Sequence, residues 1–226
     1  MSRSSEAFAD RAEAGRLLGG VLSSLRGQRA VVLGVMRGGV AVAASLARAI
    51  EGELDVAVAH KLGAPGNPEL AIGAVAEDGS SWVDESLREA TGADRRYLET
   101  ERLRQLEVLR SRAGRLRALR PKVALAGRPV VVTDDGVATG ATLRAALVAA
   151  RREGPSRLVA ALPVGPEESL ERVAEFADEV VCLRSPAWFA AVGQFYVSFE
   201  QVSDADLELL LREANGAGRG ERSSTG

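Results

Sequence analysis

The strongest constraint on the fold comes from residues 130–142, which read VVVTDDGVATGAT. Consecutive valines predict one buried strand. The strand ends in two adjacent carboxylates, Asp134 and Asp135, and small residues then lead into the amphipathic segment 143–152, which predicts a helix. The stretch therefore predicts a strand, an acidic pair, a loop and a helix in that order.

Each part of this stretch has a chemical use. Side chains this small let a ligand approach the backbone, and the N–H groups of the first helical turn point towards it. The helix dipole adds about half a positive charge, and Thr139 and Thr142 add hydroxyl donors, so the loop predicts a phosphate site without any Lys. Carboxylates suit hydroxyl groups or a cation instead. We therefore expect a ligand that carries a phosphate at one end and a diol or a metal about one sugar away.

A second turn of the same kind occurs earlier in the chain. The apolar run 30–35 predicts a strand, and 40–50 predicts a helix. Arg37, Gly38 and Gly39 lie between them, so a basic side chain stands beside a helix N-terminus. This arrangement indicates a second anion site. An ordinary strand-to-helix turn with a solvated Arg is the alternative.

Composition excludes several classes of protein. The chain has 226 residues, a net charge of −2, one Cys (Cys182) and one His, so it has neither an internal disulfide nor a zinc cluster, and nothing global favours nucleic-acid binding. No run of about 18 apolar residues and no apolar leader occurs. We therefore expect a cytoplasmic protein without a membrane segment.

The middle of the chain predicts a mobile loop and a long helix. A short strand, 55–59, ends at His60 and Lys61, and 62–70 is so rich in Gly and Pro that we expect a mobile loop, followed by a strand at 71–76. Residues 91–119 have helical spacing. That helix is locally basic, and Arg112 and Arg115 either face the anionic ligand or are simply solvated.

After the central stretch the α/β pattern continues. Strands are predicted at 157–162 and 179–183, with helices at 166–176 and 206–213, and 214–226 is predicted to be disordered. The segment 186–196 concentrates aromatic residues, for which the packing of a C-terminal flap is the simpler explanation. The N-terminal segment 8–25 predicts one more helix. Strands alternating with helices around two anion-binding turns predict a doubly wound α/β fold with a mainly parallel sheet and its ligand at the carboxyl edge.

The central stretch resembles the signature of type I phosphoribosyltransferases, in which an apolar strand is followed by two acids and a small, Thr/Gly-rich loop. Thr133 and Gly136 depart from the usual pattern, where aliphatic or branched residues are normal. Residues 61–70 narrow the resemblance to a bacterial subgroup described only as predicted phosphoribosyltransferases. The resemblance implies one domain over 1–213, with a lid and helical insertion at 62–122 and a hood at 184–200.

The resemblance also implies a reaction and a set of roles. The reaction is transfer of 5-phosphoribosyl from phosphoribosyl pyrophosphate (PRPP) to a nitrogen acceptor such as a nucleobase, with Mg²⁺ held mainly by PRPP and water. In the family the two acids, here Asp134 and Asp135, bind the ribose hydroxyls. The 5′-phosphate is bound by the loop, here Gly136, Val137, Ala138, Thr139, Gly140, Ala141 and Thr142. The pyrophosphate would contact Arg37, Gly38, Gly39 and Lys61, with Arg112 and Arg115 as further candidates.

Three further expectations follow from the resemblance. Family members have a cis peptide between the basic residue and the glycine of the pyrophosphate loop, which would be Arg37–Gly38. Glu69 in the lid could assist proton transfer, and the role of His60 stays open. A base would stack on aromatic side chains, for which the candidates are Trp188, Phe189, Phe195 and Tyr196. We also expect a homodimer.

Two other functions remain open on the sequence alone. A PRPP-sensing regulator of the same fold would bind the ligand without transferring it. A phosphatase or kinase on a Rossmann-like sheet would need a metal-held nucleophilic carboxylate or a Gly-Lys-Ser/Thr loop, and neither context fits.

Overall fold

A computed structural model describes residues 7–217 of the chain. Its strands are β1 (Val31–Val35), β2 (Glu53–Ala57), β3 (Ala59–Ala64), β4 (Asn67–Ala76), β5 (Ser81–Val83), β6 (Pro129–Thr133), β7 (Arg157–Val164) and β8 (Glu179–Arg184). Its α-helices are α1 (Arg11–Val21), α2 (Gly38–Ala49), α3 (Glu85–Ala90), α4 (Arg95–Leu119), α5 (Ala141–Arg152), α6 (Glu167–Ala174) and α7 (Asp204–Ala217). Short 3₁₀ turns occur at Ser23–Leu25 and Val192–Phe195.

The main sheet is parallel throughout and has the order β2-β1-β6-β7-β8. The chain moves outward from β1 to β2, then returns to the other side of β1 at β6 and continues away from it. The topological switch point therefore lies between β1 and β6, and in such sheets a crevice for ligands opens beyond the carboxyl ends of these strands. The predicted doubly wound α/β fold is confirmed.

Alternate side chains of β1 belong to two different cores. Val32 packs with Leu18 of α1 and Leu46 of α2 on one face, whereas Leu33 packs with Leu147 of α5 on the other. Because helices cover both faces, all five residues of β1 are buried, and the strand carries an uninterrupted apolar sequence. The sheet is thereby a rigid base for the two turns that follow β1 and β6.

The prediction of an irregular loop at 62–70 was wrong. Those residues belong to an antiparallel sheet, β3-β4-β5, in which Ala64 pairs with Asn67 across a two-residue turn at Pro65 and Gly66. Gly66 has a φ of +71°, which glycine adopts without strain. The Pro and Gly that suggested irregular structure are therefore the turn of a hairpin. His60 and Lys61, expected at the end of a strand over 55–59, lie inside β3 instead.

This second sheet is held between two helices. Its Ala59 and Ala74 pack on Ala145 of α5, while Leu62 on the opposite face packs into the core that includes Leu109 of α4. The long helix predicted over 91–119 is confirmed as α4, which starts at Arg95. α3 was not predicted.

Helix ends differ from the predictions at both termini. The helix expected over 8–25 begins only at Arg11, because Asp10 caps it by accepting a hydrogen bond from the Glu13 N–H at 2.7 Å. α7 runs past the predicted end at residue 213 into the segment expected to be disordered, and 218–226 lie outside the described residues. Within residues 7–217, the helices do not include one that is both long and apolar enough to cross a membrane.

Candidate active site

The two acids of the central stretch lie immediately after β6, at the switch point of the sheet. The Asp134 carboxylate accepts a hydrogen bond from the Asp135 N–H at 2.9 Å. Asp135 faces the N-terminal helix, where its Oδ2 lies 2.8 Å from Nε of Arg11. Arg11 also donates to the carbonyl of Glu200 at 2.8 Å and lies 3.8 Å from the ring centre of Phe199. One guanidinium therefore joins the acidic pair to α1 and to the segment that precedes α7.

The electrostatics of this pair differ from those of solvated carboxylates. Loss of solvent raises the pKa of Asp134 well above its usual value, and the neighbouring Asp135 carboxylate adds to the rise. Burial also raises the pKa of Asp135, while the hydrogen bond and the charge from Arg11 act in the opposite direction. Arg11 therefore favours the ionised form of Asp135, the form that accepts hydrogen bonds from hydroxyl groups.

The turn at residues 36–39, the first of the two predicted anion sites, packs directly against the acids. A Cβ on Gly38 would lie 1.9 Å from Oδ2 of Asp135, and a Cβ on Gly39 would lie 2.8 Å from Cα of Asp134. Only glycine therefore lets the N-terminus of α2 approach the acidic pair this closely. The Arg37 side chain is partly exposed, and its Nη1 lies 3.4 Å from Oδ1 of Asp204.

A cis peptide occurs in this turn, but not where it was predicted. The cis bond is Met36–Arg37, one residue before the expected Arg37–Gly38. Arg37 already has φ and ψ of −107° and −37° and serves as the N-cap of α2, so the Arg37–Gly38 bond leads into regular trans helical backbone.

The second turn, residues 136–142, has the shape expected of an anion site. The Val137 N–H donates to the carbonyl of Val164 at 2.9 Å, which ties the start of the loop to β7. Ala138 and Thr139 are exposed at the tip, and Gly140, with a φ of +75°, leads into α5 at Ala141. The first amides of α5 have no intrahelical acceptor and are available to an anion.

Gly136 departs from the family pattern for a packing reason. A Cβ there would lie 2.6 Å from the Val192 side chain of the C-terminal segment and 3.0 Å from that of Val164. The space that a branched residue would fill is thus taken by Val192. This substitution alters the packing behind the loop and leaves the loop backbone free.

Lys61 and the glutamate of the predicted lid, Glu69, meet in the β3-β4 hairpin. Nζ of Lys61 lies 2.9 Å from Oε2 of Glu69. The hydrogen bond and charge of Lys61 lower the pKa of Glu69. Lys61 pairs with Ala74 and so lies on the face of the hairpin that packs against α5, whereas His60 points to the opposite face and its Nδ1 lies 3.1 Å from the Lys61 carbonyl oxygen.

Arg112 and Arg115 are not brought to the acids by any described contact. Both are exposed on α4. The arginine of this helix that turns inward is Arg117, whose guanidinium lies 2.6 Å from Asp55 and 2.7 Å from Glu77. Its role is to join α4 to the sheet.

The aromatic cluster lies beside the acidic pair. Phe189 and Phe195 stack with ring centres 5.3 Å apart, and Trp188 is 74% exposed. Tyr196 differs from the other candidates because it is buried against Phe8, and its hydroxyl donates to the carbonyl of Asp135 at 2.5 Å. In this conformation Tyr196 supports Asp135 and presents no free ring face to a base.

Two arginines near the site were missed by the sequence analysis. Arg11 contacts an acid that follows it by 124 positions, which no local pattern reveals. Arg144 in α5 is buried and donates from Nη2 to the Thr139 carbonyl at 3.1 Å, a contact that its position in an amphipathic helix does not predict. The signal in the sequence that could have placed Arg144 near the site is its position two residues after Thr142.

Comparisons with known proteins agree with this fold. The chain is 50% identical to the protein TT1426 from Thermus thermophilus, whose crystal structure matches with a TM-score of 0.80 over 92% of this chain and 98% of that one. Two Mycobacterium tuberculosis proteins, from strains CDC 1551 and H37Rv, are each named "Putative phosphoribosyl transferase" and are 45% identical over 92% of this chain. The chain spans 47% of the length of these two relatives. The family model described as "Phosphoribosyl transferase domain" matches residues 5–200, and the chain belongs to this family.

Proposed function

We propose that the protein transfers 5-phosphoribosyl from PRPP to a nitrogen acceptor, most simply a nucleobase, and releases pyrophosphate. The observation that carries this proposal is the meeting of two glycine-rich turns around Asp134 and Asp135 at the switch point of the sheet. PRPP has the matching chemistry, because its two anionic ends flank a sugar diol. Turns at helix N-termini suit the anionic ends, and carboxylates suit the diol.

The proposed roles follow the positions of these groups. The ribose hydroxyls donate to Asp134 and Asp135, and the 5′-phosphate binds the amides and hydroxyls of residues 136–142. The pyrophosphate binds at Arg37, Gly38 and Gly39, with Lys61 approaching from the hairpin. Arg37 and Lys61 now have exposed acids as partners, Asp204 and Glu69, whose side chains are 73% and 89% exposed. Exposed ion pairs of this kind are weak, so both cations can exchange them for pyrophosphate.

The proposed chemistry needs no covalent nucleophile. As the bond from C1′ to pyrophosphate breaks, positive charge develops on the ribose ring and negative charge on the leaving group. Arg37 and Lys61 stabilise the leaving group, and the fixed carboxylates hold the ring in place. The base nitrogen then bonds to C1′ from the opposite face, and Glu69 is the candidate to accept a proton from the base.

Magnesium fits this scheme as an ion that arrives with the substrate. Among residues 7–217, no cluster of three or more His, Cys, Asp or Glu side chains is arranged to hold a metal ion. Mg²⁺ keeps several waters and is commonly held by substrate phosphates and one or two carboxylates, and the acidic pair can supply the latter. When bound, it would neutralise charge on the pyrophosphate.

The acceptor site is proposed beside the acidic pair, among the aromatic side chains. Trp188, Phe189 and Phe195 offer ring faces on which a flat base could stack. Arg112 and Arg115 could contact the pyrophosphate only if α4 moved together with the lid. The homodimer and the cytoplasmic location stay predictions.

The decisive experiment measures pyrophosphate release from PRPP with Mg²⁺ and a panel of purines, pyrimidines and small amines. We expect release with at least one acceptor. Asp135→Asn should weaken PRPP binding in calorimetry while the fold is kept. Asp178→Asn is the matched control, because Asp178 lies just before β8 at the opposite edge of the sheet, where it pairs with Arg151.

The outcomes separate the alternatives. Tight PRPP binding without release for any acceptor would favour a regulator of the same fold. Phosphate release from simple esters would favour a phosphatase. Unchanged PRPP affinity in Asp135→Asn would contradict the proposed site.

A further inference from the structure

Arg144 is a buried cation directly behind the proposed phosphate loop. Only 4% of the residue is exposed. Its Nη2 donates to the Thr139 carbonyl at 3.1 Å, and its guanidinium carbon lies 3.6 Å from the ring centre of Trp82 in β5. A Cβ on Gly140 would lie 3.9 Å from its Nε. The charged group is therefore enclosed between the loop and the second sheet.

The charge of Arg144 has no close carboxylate partner. Within residues 7–217, no acidic oxygen lies within 4.0 Å of it, and its Nε has no hydrogen-bond acceptor. Asp84 and Glu175 are near enough to favour the charged form and Arg172 opposes it, but burial is the largest influence and lowers the pKa of Arg144. Arg117 differs sharply, since two carboxylates neutralise it. Burying an unpaired cation is costly, so a function for Arg144 is expected.

The hydrogen bond from Arg144 fixes the direction of a peptide group in the loop. In a trans peptide the C=O and the following N–H point in opposite directions. Arg144 holds the Thr139 carbonyl, and Ser169 donates from its Oγ to the Ala138 carbonyl. Both carbonyls are therefore turned inward. The amides of Thr139 and Gly140 must point outward, to the exposed side of the loop tip.

We propose that Arg144 is a positioning residue of the phosphate site. Arg144 fixes the outward direction of the loop amides, and a bound phosphoryl group serves as the counter-ion of its buried positive charge. This inference rests on the proposed function, because it takes residues 136–142 as the 5′-phosphate site. It adds a second source of charge to the helix dipole of α5. It also makes β5 part of the site through Trp82.

Trp82 provides a way to observe phosphate binding without measuring activity. The sequence has two Trp residues, so Trp188→Phe leaves Trp82 as the only one. Because the Arg144 guanidinium lies on the ring of Trp82, an anion bound to the loop should change Trp82 emission. Titration of the Trp188→Phe protein with ribose 5-phosphate gives one dissociation constant, and calorimetry gives a second. Pyrophosphate, titrated by calorimetry, probes the other turn.

The test compares Arg144→Met and Arg144→Lys with Arg152→Met, an exposed arginine of the same helix. Loss of a buried charge beside a phosphate should weaken ribose 5-phosphate binding about tenfold in Arg144→Met. Arg144→Lys keeps the charge and should recover part of the loss. Pyrophosphate affinity should stay within about twofold in every variant, since its site is the Arg37 turn.

The design also separates folding from function. Arg144→Met removes an unpaired buried charge, so its melting temperature should equal or exceed that of the unmodified chain. Ser169→Ala, which frees the Ala138 carbonyl without a change of charge, tests the loop if Arg144→Met does not fold. Ribose 5-phosphate affinity within twofold of the unmodified chain in Arg144→Met, or in Ser169→Ala if Arg144→Met does not fold, would overturn the inference alone. Absence of ribose 5-phosphate binding in the unmodified chain would overturn the proposed function with it.

Discussion

Nε of Arg11 lies 2.8 Å from Oδ2 of Asp135, and the two side chains are only 12% and 15% exposed. This ion pair connects α1 to the turn that follows β6. Asp135 also receives support from the C-terminal segment, where the Tyr196 hydroxyl donates to its carbonyl. The position and charge of this acid therefore depend on both termini of the described chain, although the acid itself lies in the central motif.

Arg11→Met is expected to impair PRPP binding mainly at lower pH. Arg11 opposes the rise in the pKa of Asp135 that burial causes, so its removal should raise that pKa. A protonated Asp135 accepts fewer hydrogen bonds from ribose hydroxyls. The pH below which PRPP affinity falls should therefore be higher in the variant. Calorimetry from about pH 5 to about pH 8 measures this shift. Arg16→Met, an exposed position of the same helix, should leave the pH profile unchanged.

Asp134→Asn is expected to stabilise the protein at neutral pH while it weakens PRPP binding. The pKa of Asp134 is raised in the folded state, so the folded state binds more protons than the unfolded state at pH values between the two pKa values. Stability from this group is present at low pH and is lost as pH rises through the folded pKa. Asn keeps the oxygen that accepts from the Asp135 N–H and carries no charge.

The measurement for Asp134→Asn is denaturant unfolding of both proteins at pH 7 and near pH 4. The variant should be more stable at pH 7 by about 1 kcal/mol or more, a typical size for removing an unfavourable buried charge. The difference should shrink near pH 4, where Asp134 is neutral in the unmodified protein as well. A difference that is constant over this range would contradict the raised pKa.

Gly38→Ala is expected to displace the Asp135 carboxylate. A Cβ at this position would lie 1.9 Å from Oδ2 of Asp135 and 3.1 Å from Nε of Arg11. Overpacking of this kind typically costs about 1–3 kcal/mol, and PRPP affinity should fall at least tenfold, on the order of one lost charge-assisted hydrogen bond. Gly114→Ala is the control, because nothing lies within 4 Å of its Cβ and it lies in α4. That change should stabilise the chain by about 0.5–1 kcal/mol. Equal PRPP affinity in both variants would rule out the proposed contact.

Lys61→Met is expected to weaken binding of PRPP and pyrophosphate but not of ribose 5-phosphate. Lys61 lies on the hairpin face that packs against α5, and its partner Glu69 is exposed, so loss of their ion pair should cost little stability. Calorimetry with the three ligands gives the comparison. Lys122→Met is a control of the same chemistry, since Lys122 pairs with Glu153 instead. A parallel loss of ribose 5-phosphate affinity would place Lys61 in the other anion site.

The elements that could be predicted from the sequence are those whose structure depends on neighbouring residues in the chain. The valines of β6 can only be a buried strand, and small residues that follow Asp135 and precede an amphipathic segment can form a loop at a helix N-terminus. β1 and β7 were predicted for the same reason. Since parallel strands align their carboxyl ends, this reasoning also brought the two anion-binding turns to one edge of the sheet.

Composition alone does not predict the β3-β4 hairpin, because the geometry of its turn decides the structure. Residues 62–70 contain two Pro and two Gly, which suggested irregular structure. Pro65 and Gly66, however, form the two-residue turn between β3 and β4, while Gly73 tolerates the close approach of Trp82, whose carbonyl oxygen would lie 2.4 Å from a Cβ there. Pro65, Gly66 and Gly73 therefore serve an antiparallel sheet, whose register shifts at Gly63.

The parallel sheet, the acidic pair and the loop that follows it can be predicted from the chain, because each depends on adjacent residues. Which cations serve those groups depends instead on tertiary packing. Arg11 reaches Asp135 across 124 positions, and Arg144 turns inward because Trp82 of the second sheet covers it. A side chain's partner and its exposure to solvent depend on the packing of distant elements, and these control the charge on a buried carboxylate or guanidinium.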